Sequence, residues 1–583
     1  MAAIIADNII SPLSFSTQAN YQAVKAGKTA LQHYDDAPGI PFPFTASLFS
    51  EEQKREFTID GLTLFESLAV TSIRKALESC QIHLDKRTCL IISSTKQNIS
   101  LQTTDSNPSE NITCPGLSAE KIARAVGITT TPIIVCNACI SGVSALILGN
   151  RLIDMLEYDH AIVCGIDLQS PFIISGFYSL KALSENPCRP FDIERIGLNL
   201  GEAAATVILG KENLTGGWNI AGAAIRNDAY HISSPAPKAD GCLMALEAVM
   251  KGQDANQLSV INAHGTATLY NDQMEARGIS RAGLSDIPIN ALKGYYGHTM
   301  GAAGILETII TLHASEDGII IGTKGYDEIG VSGNLNIVRN NTTTEKKDFL
   351  KLISGFGGCN AAVYVEKEQG ARSKEQEKGI RANSENEAAT LNVHHHIVIT
   401  PQSVQIDDEM IDTGQQKGKA LLTYLYKTYT LDYPKFYKMD VLARLGFVAT
   451  ELLIQKEKGT RSKEQEEGKR AVIFFGQSSS INADKEFLRS IADPENYFPS
   501  PAAFVYTLPN IVNGEVAIRN NYHGETAFYI LPRKDDSIMR MITQATMLDY
   551  FHTSIITGWL DCKSEDEFYA ELSIMNYELR IMN

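Results

Sequence analysis

Two cysteines three residues apart, Cys136 and Cys139, lie in Val135-Cys136-Asn137-Ala138-Cys139-Ile140-Ser141-Gly142, where an apolar β-branched run gives way to an apolar helical one. Cysteines at this spacing serve as a zinc clip, a dithiol redox pair or a thiol nucleophile. A structural zinc site needs about four Cys or His ligands, usually as two paired clusters, and the chain has no second C-x-x-C. A redox pair needs both thiols near a helix start, whereas Cys136 closes the strand pattern and should point elsewhere. The third option puts Cys139 in the first turn of a buried helix, where free backbone N–H groups and the positive helix end favour a thiolate and can hold an oxyanion. Standing alone, the stretch would by default hold a small core cysteine.

It does not stand alone. His264 follows the apolar run Val260-Ile261-Asn262-Ala263 and opens His264-Gly265-Thr266-Ala267-Thr268, with Glu275 eleven residues on. His298 lies in Lys293-Gly294-Tyr295-Tyr296-Gly297-His298-Thr299-Met300-Gly301, and a glycine-rich turn, Gly355-Phe356-Gly357-Gly358-Cys359-Asn360, comes later. Both histidines sit at strand-to-loop junctions. The run His394-His395-His396 is not read as a metal site, because on a strand only two of the three share a face.

Short β-branched runs alternate with helical patterns from about residue 85. Thr88 to Ser93, Thr131 to Cys136, Ala161 to Ile166, Ala204 to Leu209 and Ser259 to Ala263 read as strands. Ser118 to Val126 is expected to be a helix capped by Ser118, and Ile140 to Leu156 and Gly301 to His313 read as helices. Two strands flank the glycine turn between Leu350 and Val365. This alternation specifies a layered α/β fold.

The 583 residues, 44% hydrophobic, suffice for several domain units. No apolar run approaches a membrane span and the start lacks signal-peptide character, so a cytoplasmic location is expected. Ten cysteines, nine of them before residue 360, are too uneven for a disulfide framework. A net charge of -16 argues against nucleic acid as a partner.

Composition changes at Lys367. Residues 366–388 read as a charged linker, and 456–470 nearly repeats it as a solvated insertion. Beyond the linker, helix Asp440 to Ile454, strand Ala471 to Phe475 and Gly476-Gln477-Ser478-Ser479-Ser480 echo helix Thr63 to Glu78, strand Thr88 to Ser93 and Ser94-Thr95-Lys96-Gln97-Asn98. Residues 389–583 thus read as another copy of the N-terminal half-domain.

With Cys139, His264-Gly-Thr, Gly297-His298 and the Gly355-Phe356-Gly-Gly turn in this order, residues 1–365 resemble the β-ketoacyl-acyl carrier protein synthases. Cys188-Arg189-Pro190-Phe191-Asp192 and Leu198-Asn199-Leu200-Gly201-Glu202 support the resemblance, most closely to synthases of aryl polyene or flexirubin-type clusters, with housekeeping fatty-acid elongation as runner-up. The resemblance implies a duplicated thiolase-like α-β-α-β-α fold, followed by a partial second thiolase-like half-domain of the chain-length-factor type. It implies decarboxylative Claisen condensation with malonyl-acyl carrier protein. Cys139 would carry the acyl chain, and His264 and His298 would stabilise the enolate as neutral N–H donors. Lys293 and Glu275 would order the histidines, a purely structural ion pair being the alternative. Phe356 would be the gate, and its N–H and that of Cys139 the oxyanion hole. No cofactor or metal is expected, since phosphopantetheine arrives with the carrier protein. An acyl carrier protein is the expected partner, with a homodimer or pairing to a chain-length-factor-like subunit.

Three departures from the family pattern stand out. Leu352-Ile353-Ser354 precedes Gly355 where Asn-Ser-Phe is usual, Ile140 follows the nucleophile and could narrow the pocket, and Cys359 invites a thiolase alternative. A non-catalytic carrier-binding scaffold is disfavoured because no catalytic group is missing. In the C-terminal copy Pro532-Arg533-Lys534 falls where Ala-Cys should be, so that half is expected to be catalytically silent.

Overall fold

The computed structural model describes residues 1–102, 113–211, 216–368, 390–430, 432–458 and 467–578. Strands β1 (Ala3–Ile10), β2 (Thr88–Ser93), β3 (Ile133–Val135), β4 (His160–Asp167) and β5 (Ala203–Gly210) form a sheet in the order β3-β2-β4-β5-β1. The first two pairings are parallel and the last two antiparallel. A second sheet is built from β6 (Trp218–Asn227), β7 (Leu258–Asn262), β8 (Ile289–Asn290), β9 (Asp348–Gly355) and β10 (Cys359–Lys367). Its order, β8-β7-β9-β10-β6, has the same run of polarities.

The strands alternate side chains to two buried faces. Cys89 and Ile91 of β2 pack inward with α2 (Ser141–Asp154) and α5 (Ala303–Glu316), while Leu90 and Ile92 pack outward with α1 (Leu64–Glu78). On the far side, α3 (Asp240–Met250) and α4 (Leu269–Arg281) cover Leu350, Leu352, Ala362 and Tyr364 of the second sheet. The result is the expected α-β-α-β-α layering. The two central helices approach so closely that a Cβ on Gly142 would lie 2.8 Å from the Gly301 carbonyl oxygen. Glycine is required there.

The chain beyond residue 390 repeats the pattern a third time. Strands β11 (Thr390–Ile399), β12 (Val404–Ile406), β13 (Arg470–Gly476), β14 (Thr526–Ile530), β15 (Ser554–Ser564) and β16 (Glu567–Glu578) run in the order β14-β13-β15-β16-β11-β12. Helices α6 (Val441–Lys458), α7 (Ile511–Asn520) and α8 (Asp536–Met547) pack against them. The repeat extends to single hydrogen bonds. Asp167 accepts the Thr95 N–H (3.0 and 3.1 Å) in the turn after β2, and Asp561 accepts the Ser478 N–H (2.7 Å) in the turn after β13. Gly476 pairs with Ile530 as Ser93 pairs with Val135. Four residues further on stands Cys139 in one copy and Lys534 in the other.

The two copies join edge to edge. β14 pairs antiparallel with β3 through Tyr529↔Val135 and Ile530↔Ile134, and the Cys136 N–H donates to the Phe528 carbonyl at 3.0 Å. The edge of the first sheet at β3 is therefore paired within the chain. Buried charges reinforce it, each cation coming from the first part and each carboxylate from the second: Arg151 with Glu525 at 2.8 Å, Arg226 with Asp549 at 2.5 Å, Lys96 with Asp484 at 2.5 Å.

Some sequence expectations need correction. The helix assigned to Ser118–Val126 starts at Pro115, whose fixed φ suits the first helical position. Ser118 lies inside it and donates to Glu66 at 2.5 Å. The ends of the insertion at 456–470 are structural, since α6 continues to Lys458 and Glu457 meets Arg470 in a buried two-pronged pair at 2.8 and 2.9 Å. Residues 459–466 between them, and most of the linker 366–388, lie outside the described residues. In the His394–His396 run, His395 faces Asp407 at 3.1 Å and His396 faces Glu571 at 3.6 Å. Among the described residues no helix is long and apolar enough to cross a membrane.

Replacing Arg151 by Ala leaves the fully buried Glu525 without its cation. This should cost about 3–5 kcal/mol, read as a lower denaturant midpoint. An unchanged midpoint would show that the charge pair does not hold the halves together.

Candidate active site

Cys139 sits one short turn ahead of α2, in Ala138–Ile140. Ala138 holds a left-handed φ of 47°, a conformation that costs a non-glycine residue energy and persists only where packing enforces it. Ser141 closes the turn, accepting the Asn137 N–H at 2.8 Å and donating to the Ala138 carbonyl at 2.6 Å. Burial pushes the Cys139 thiol up to about 12, opposed by the Lys293 ammonium and by the thiol's own backbone N–H. The resting group is a thiol rather than the thiolate that the helix end alone suggested. Ile140 is turned into the core between the sheets, so it does not narrow the pocket.

His264 leaves the end of β7 on a loop held by two carboxylates of α4. Glu275 accepts the N–H groups of His264 (2.5 Å) and Gly265 (2.9 Å), while Asp272 accepts those of Thr266 (2.9 Å) and Ala267 (3.1 Å). Asp272 also accepts the Phe191 N–H at 2.8 Å. His298 is fixed by the neighbouring part of the same segment, its N–H donating to the Asn199 carbonyl at 2.7 Å and its carbonyl accepting from Gly201 at 3.0 Å. Residues 188–202 thus frame both histidine loops.

The Sγ of Cys139 and one ring nitrogen from each histidine lie within 4.8 Å of one another, and the two rings stand nearly perpendicular with centroids 5.2 Å apart. Burial, then Lys293, holds both imidazoles well below the usual histidine range, so they are neutral. Among the described residues, Nδ1 of His264 and both ring nitrogens of His298 have no hydrogen-bond partner. Each such buried group costs roughly 1–3 kcal/mol until something pairs with it.

Lys293 and Glu275 do not pair with each other. Lys293 binds Glu307 of α5 at 2.8 Å, and Glu307 is shared with Lys351 of β9. Glu275 spends its oxygens on the His264 loop, and burial raises it to about 7. Sequence reading missed Asp167, Asp272, Glu307 and Lys351. Glu307 and Lys351 were visible as lone charges in otherwise apolar runs.

A cavity of about 460 Å³ opens over the three groups, lined by Cys139, His264, His298, Phe356, Leu269 and Tyr270 among others. Phe356 separates it from a smaller apolar hollow beside Cys139 that is walled by Met300, Phe504 and Leu508. Gly355 precedes the gate because a Cβ there would stand 3.1 Å from the Cys139 nitrogen and crowd the N–H expected to hold an oxyanion.

The second half of the chain braces the Phe356 turn. Asn510 donates to the Phe356 carbonyl at 2.9 Å, and a Cβ on Gly514 would lie 2.8 Å from the Gly357 Cα. Thr526 accepts from Asn137 through its carbonyl at 2.9 Å and from Asn227 through its hydroxyl at 2.9 Å. Cys359 meets the same hydroxyl at 3.2 Å and is buried in this junction. Lys534, at the position equivalent to the nucleophile, pairs with Glu571 at 2.6 Å.

Residues 4–214 match the family model for the beta-ketoacyl synthase N-terminal domain and residues 219–327 that for the beta-ketoacyl synthase C-terminal domain. The chain is 27% identical to a 3-oxoacyl-[acyl-carrier-protein] synthase 2 of Coxiella burnetii, across 61% of this chain and 96% of the relative. It is 31% identical to the tetracenomycin polyketide synthase ketoacyl synthase alpha subunit of Streptomyces glaucescens, across 44% of this chain and 65% of that subunit. Among solved structures, PfaC, a keto synthase-chain length factor, covers 99% of this chain and 78% of its own at a TM-score of 0.73 and 14% identity. The ketosynthase ApeO in complex with its chain length factor ApeC, from Xenorhabdus doucetiae, covers 63% of this chain and 98% of its own at a TM-score of 0.53 and 22% identity. With the two models together matching more than half its length, the chain belongs to the β-ketoacyl synthase family.

Proposed function

We propose that the protein condenses an acyl chain held on Cys139 with malonyl-acyl carrier protein, releasing carbon dioxide and a 3-oxoacyl-carrier protein. The observation that carries this reading is the triangle of Cys139, His264 and His298, with unpartnered neutral imidazoles under a cavity. The thiol attacks the carrier-bound acyl thioester, and its proton leaves with the departing phosphopantetheine sulfur. The malonyl thioester then places its carbonyl oxygen against the imidazole N–H groups. As the carbon–carbon bond to the carboxylate breaks, the electron pair becomes an enolate that these donors stabilise. A neutral imidazole can donate without surrendering its proton, which suits an enolate that must attack carbon. The enolate carbon adds to the acyl-Cys carbonyl, whose oxyanion the Cys139 N–H receives, and collapse expels the Cys139 sulfur.

The second half acts in this reading as a built-in, catalytically silent partner of chain-length-factor type. The equivalence of Lys534 with Cys139 and the bracing of Phe356 by Asn510 support it. Phe504 and Leu508 would close the acyl pocket beyond the gate. An aryl polyene or flexirubin-type pathway is the substrate context that the sequence resemblance favours, with an acyl carrier protein delivering both substrates.

His264→Ala and His298→Ala should keep acylation of Cys139 but lose carbon dioxide release from malonyl-carrier protein by on the order of 10²-fold. Release at the parental rate in either variant would make that histidine structural. Phe504→Ala removes a wall of the hollow and should shift the product distribution, read by mass spectrometry, towards longer chains. An unchanged distribution would separate the C-terminal half from length control.

A further inference from the structure

Lys351 departs from what its surroundings ask for. It lies in the strand Phe349-Leu350-Lys351-Leu352-Ile353, is fully buried, and precedes the gate Phe356 by five residues. Parallel pairing sets it beside Asn262, the second residue before His264. Its ammonium donates to the Asn262 side-chain oxygen at 2.8 Å, to the Ala263 carbonyl at 3.3 Å, and to Glu307. Glu307 also takes Lys293, whose residue opens the segment leading to His298. One cation thus joins the strand that delivers His264, the strand that carries the gate and the carboxylate behind His298.

We infer that Lys351 is a positioning residue for the decarboxylation step, acting through His264 and Glu307 rather than on the substrate. This rests on the condensation reading above. The Ala263 carbonyl belongs to the peptide bond whose nitrogen is that of His264, so a hydrogen bond there sets the angle at which the imidazole leaves the strand. Electrostatics adds a second effect. Around the imidazoles, which also act on each other, stand Cys139 and Asp167 on one side, Lys293 and Glu307, Lys351 from β9, Glu275 and Asp272 from α4 with Arg195 3.9 Å from Asp272, and Lys181, Asp228, His231, Tyr270 and Cys359 in the cavity wall. Burial is the first cause that keeps both rings neutral, and Lys293 and then Lys351 add to it, although burial lowers the Lys351 ammonium itself to about 8.

The sign follows directly. Without Lys351 the imidazoles protonate at higher pH, and an imidazolium at rest is the wrong form for the reaction. Lys351→Met keeps the side-chain length while leaving Glu307 paired with Lys293. It should reduce carbon dioxide release from malonyl-carrier protein about tenfold more than it reduces acylation of Cys139, the scale of losing a supporting hydrogen bond. Its acid limb should also move to higher pH. Lys351→Arg keeps the charge and should keep the parental acid limb, which decides the matter should the Met variant not fold. NMR titration of His264 and His298 in ¹³C-histidine-labelled protein gives a readout independent of turnover, with raised titration midpoints expected in Lys351→Met. Parallel loss of both partial reactions, an unmoved acid limb or unmoved midpoints would each overturn the inference. A parental chain that releases no carbon dioxide would instead overturn the condensation reading, leaving the histidine titrations to judge Lys351.

Discussion

The antiparallel pairing of β14 with β3 is the constraint on which the rest depends. β3 has three residues, lies at the edge of its sheet and runs directly into the nucleophile turn. An exposed edge there would present unpaired backbone groups and leave the turn half supported. The chain supplies the missing strand itself, and the same strand delivers Thr526 to Asn137, Asn227 and Cys359. The left-handed Ala138, the open face of the Cys139 N–H and the bracing of Phe356 all sit on this seam. Its three more buried ion pairs each set a cation of the first half against a carboxylate of the second, which favours this pairing over one between two like halves, while the exposed Arg533–Glu120 pair runs the other way.

Around the site the carboxylates hold loops or bind lysines, and Cys139, His264 and His298 are left uncharged. Glu275 and Asp272 satisfy backbone N–H groups of the His264 loop, Asp167 those of the turn after β2 and of Gly301, and Glu307 binds two lysines. The imidazoles are neutral and the thiol is protonated at rest. A pocket with unpaired donors stabilises a charge that appears only during reaction, which is where such donors act most strongly.

Much of this was legible in the sequence because the chemistry sits at ends of strands with strong apolar signatures. Cys139 and His264 each follow such a run, whereas His298 follows the short helix Lys293–Tyr296 and not the strand-to-loop junction expected for it, and the layered fold follows from the alternation. The third copy was readable from its order of helix, strand and polar turn, Gly476-Gln477-Ser478-Ser479-Ser480 echoing Ser94-Thr95-Lys96-Gln97-Asn98, whereas the aspartates that close both turns appear only in the structure. Pairings between distant residues were not readable. The alternative of an ion pair between Lys293 and Glu275 fails, because α5 sets Glu307 against Lys293. Asn510 and Thr526 carry no local signal, and their contacts with the gate exist only once β14 meets β3. Ser118 was misplaced because its serine resembles a cap more than Cys114-Pro115 does, although proline at the first position settled the start.

The most direct test of the account is covalent. Full-length protein exposed to acyl-carrier proteins of differing chain length should gain one acyl mass, mapped by peptide analysis to Cys139 and absent in Cys139→Ala. A persistent adduct in that variant, or one mapped to Cys136, Cys359 or Lys534, would contradict it.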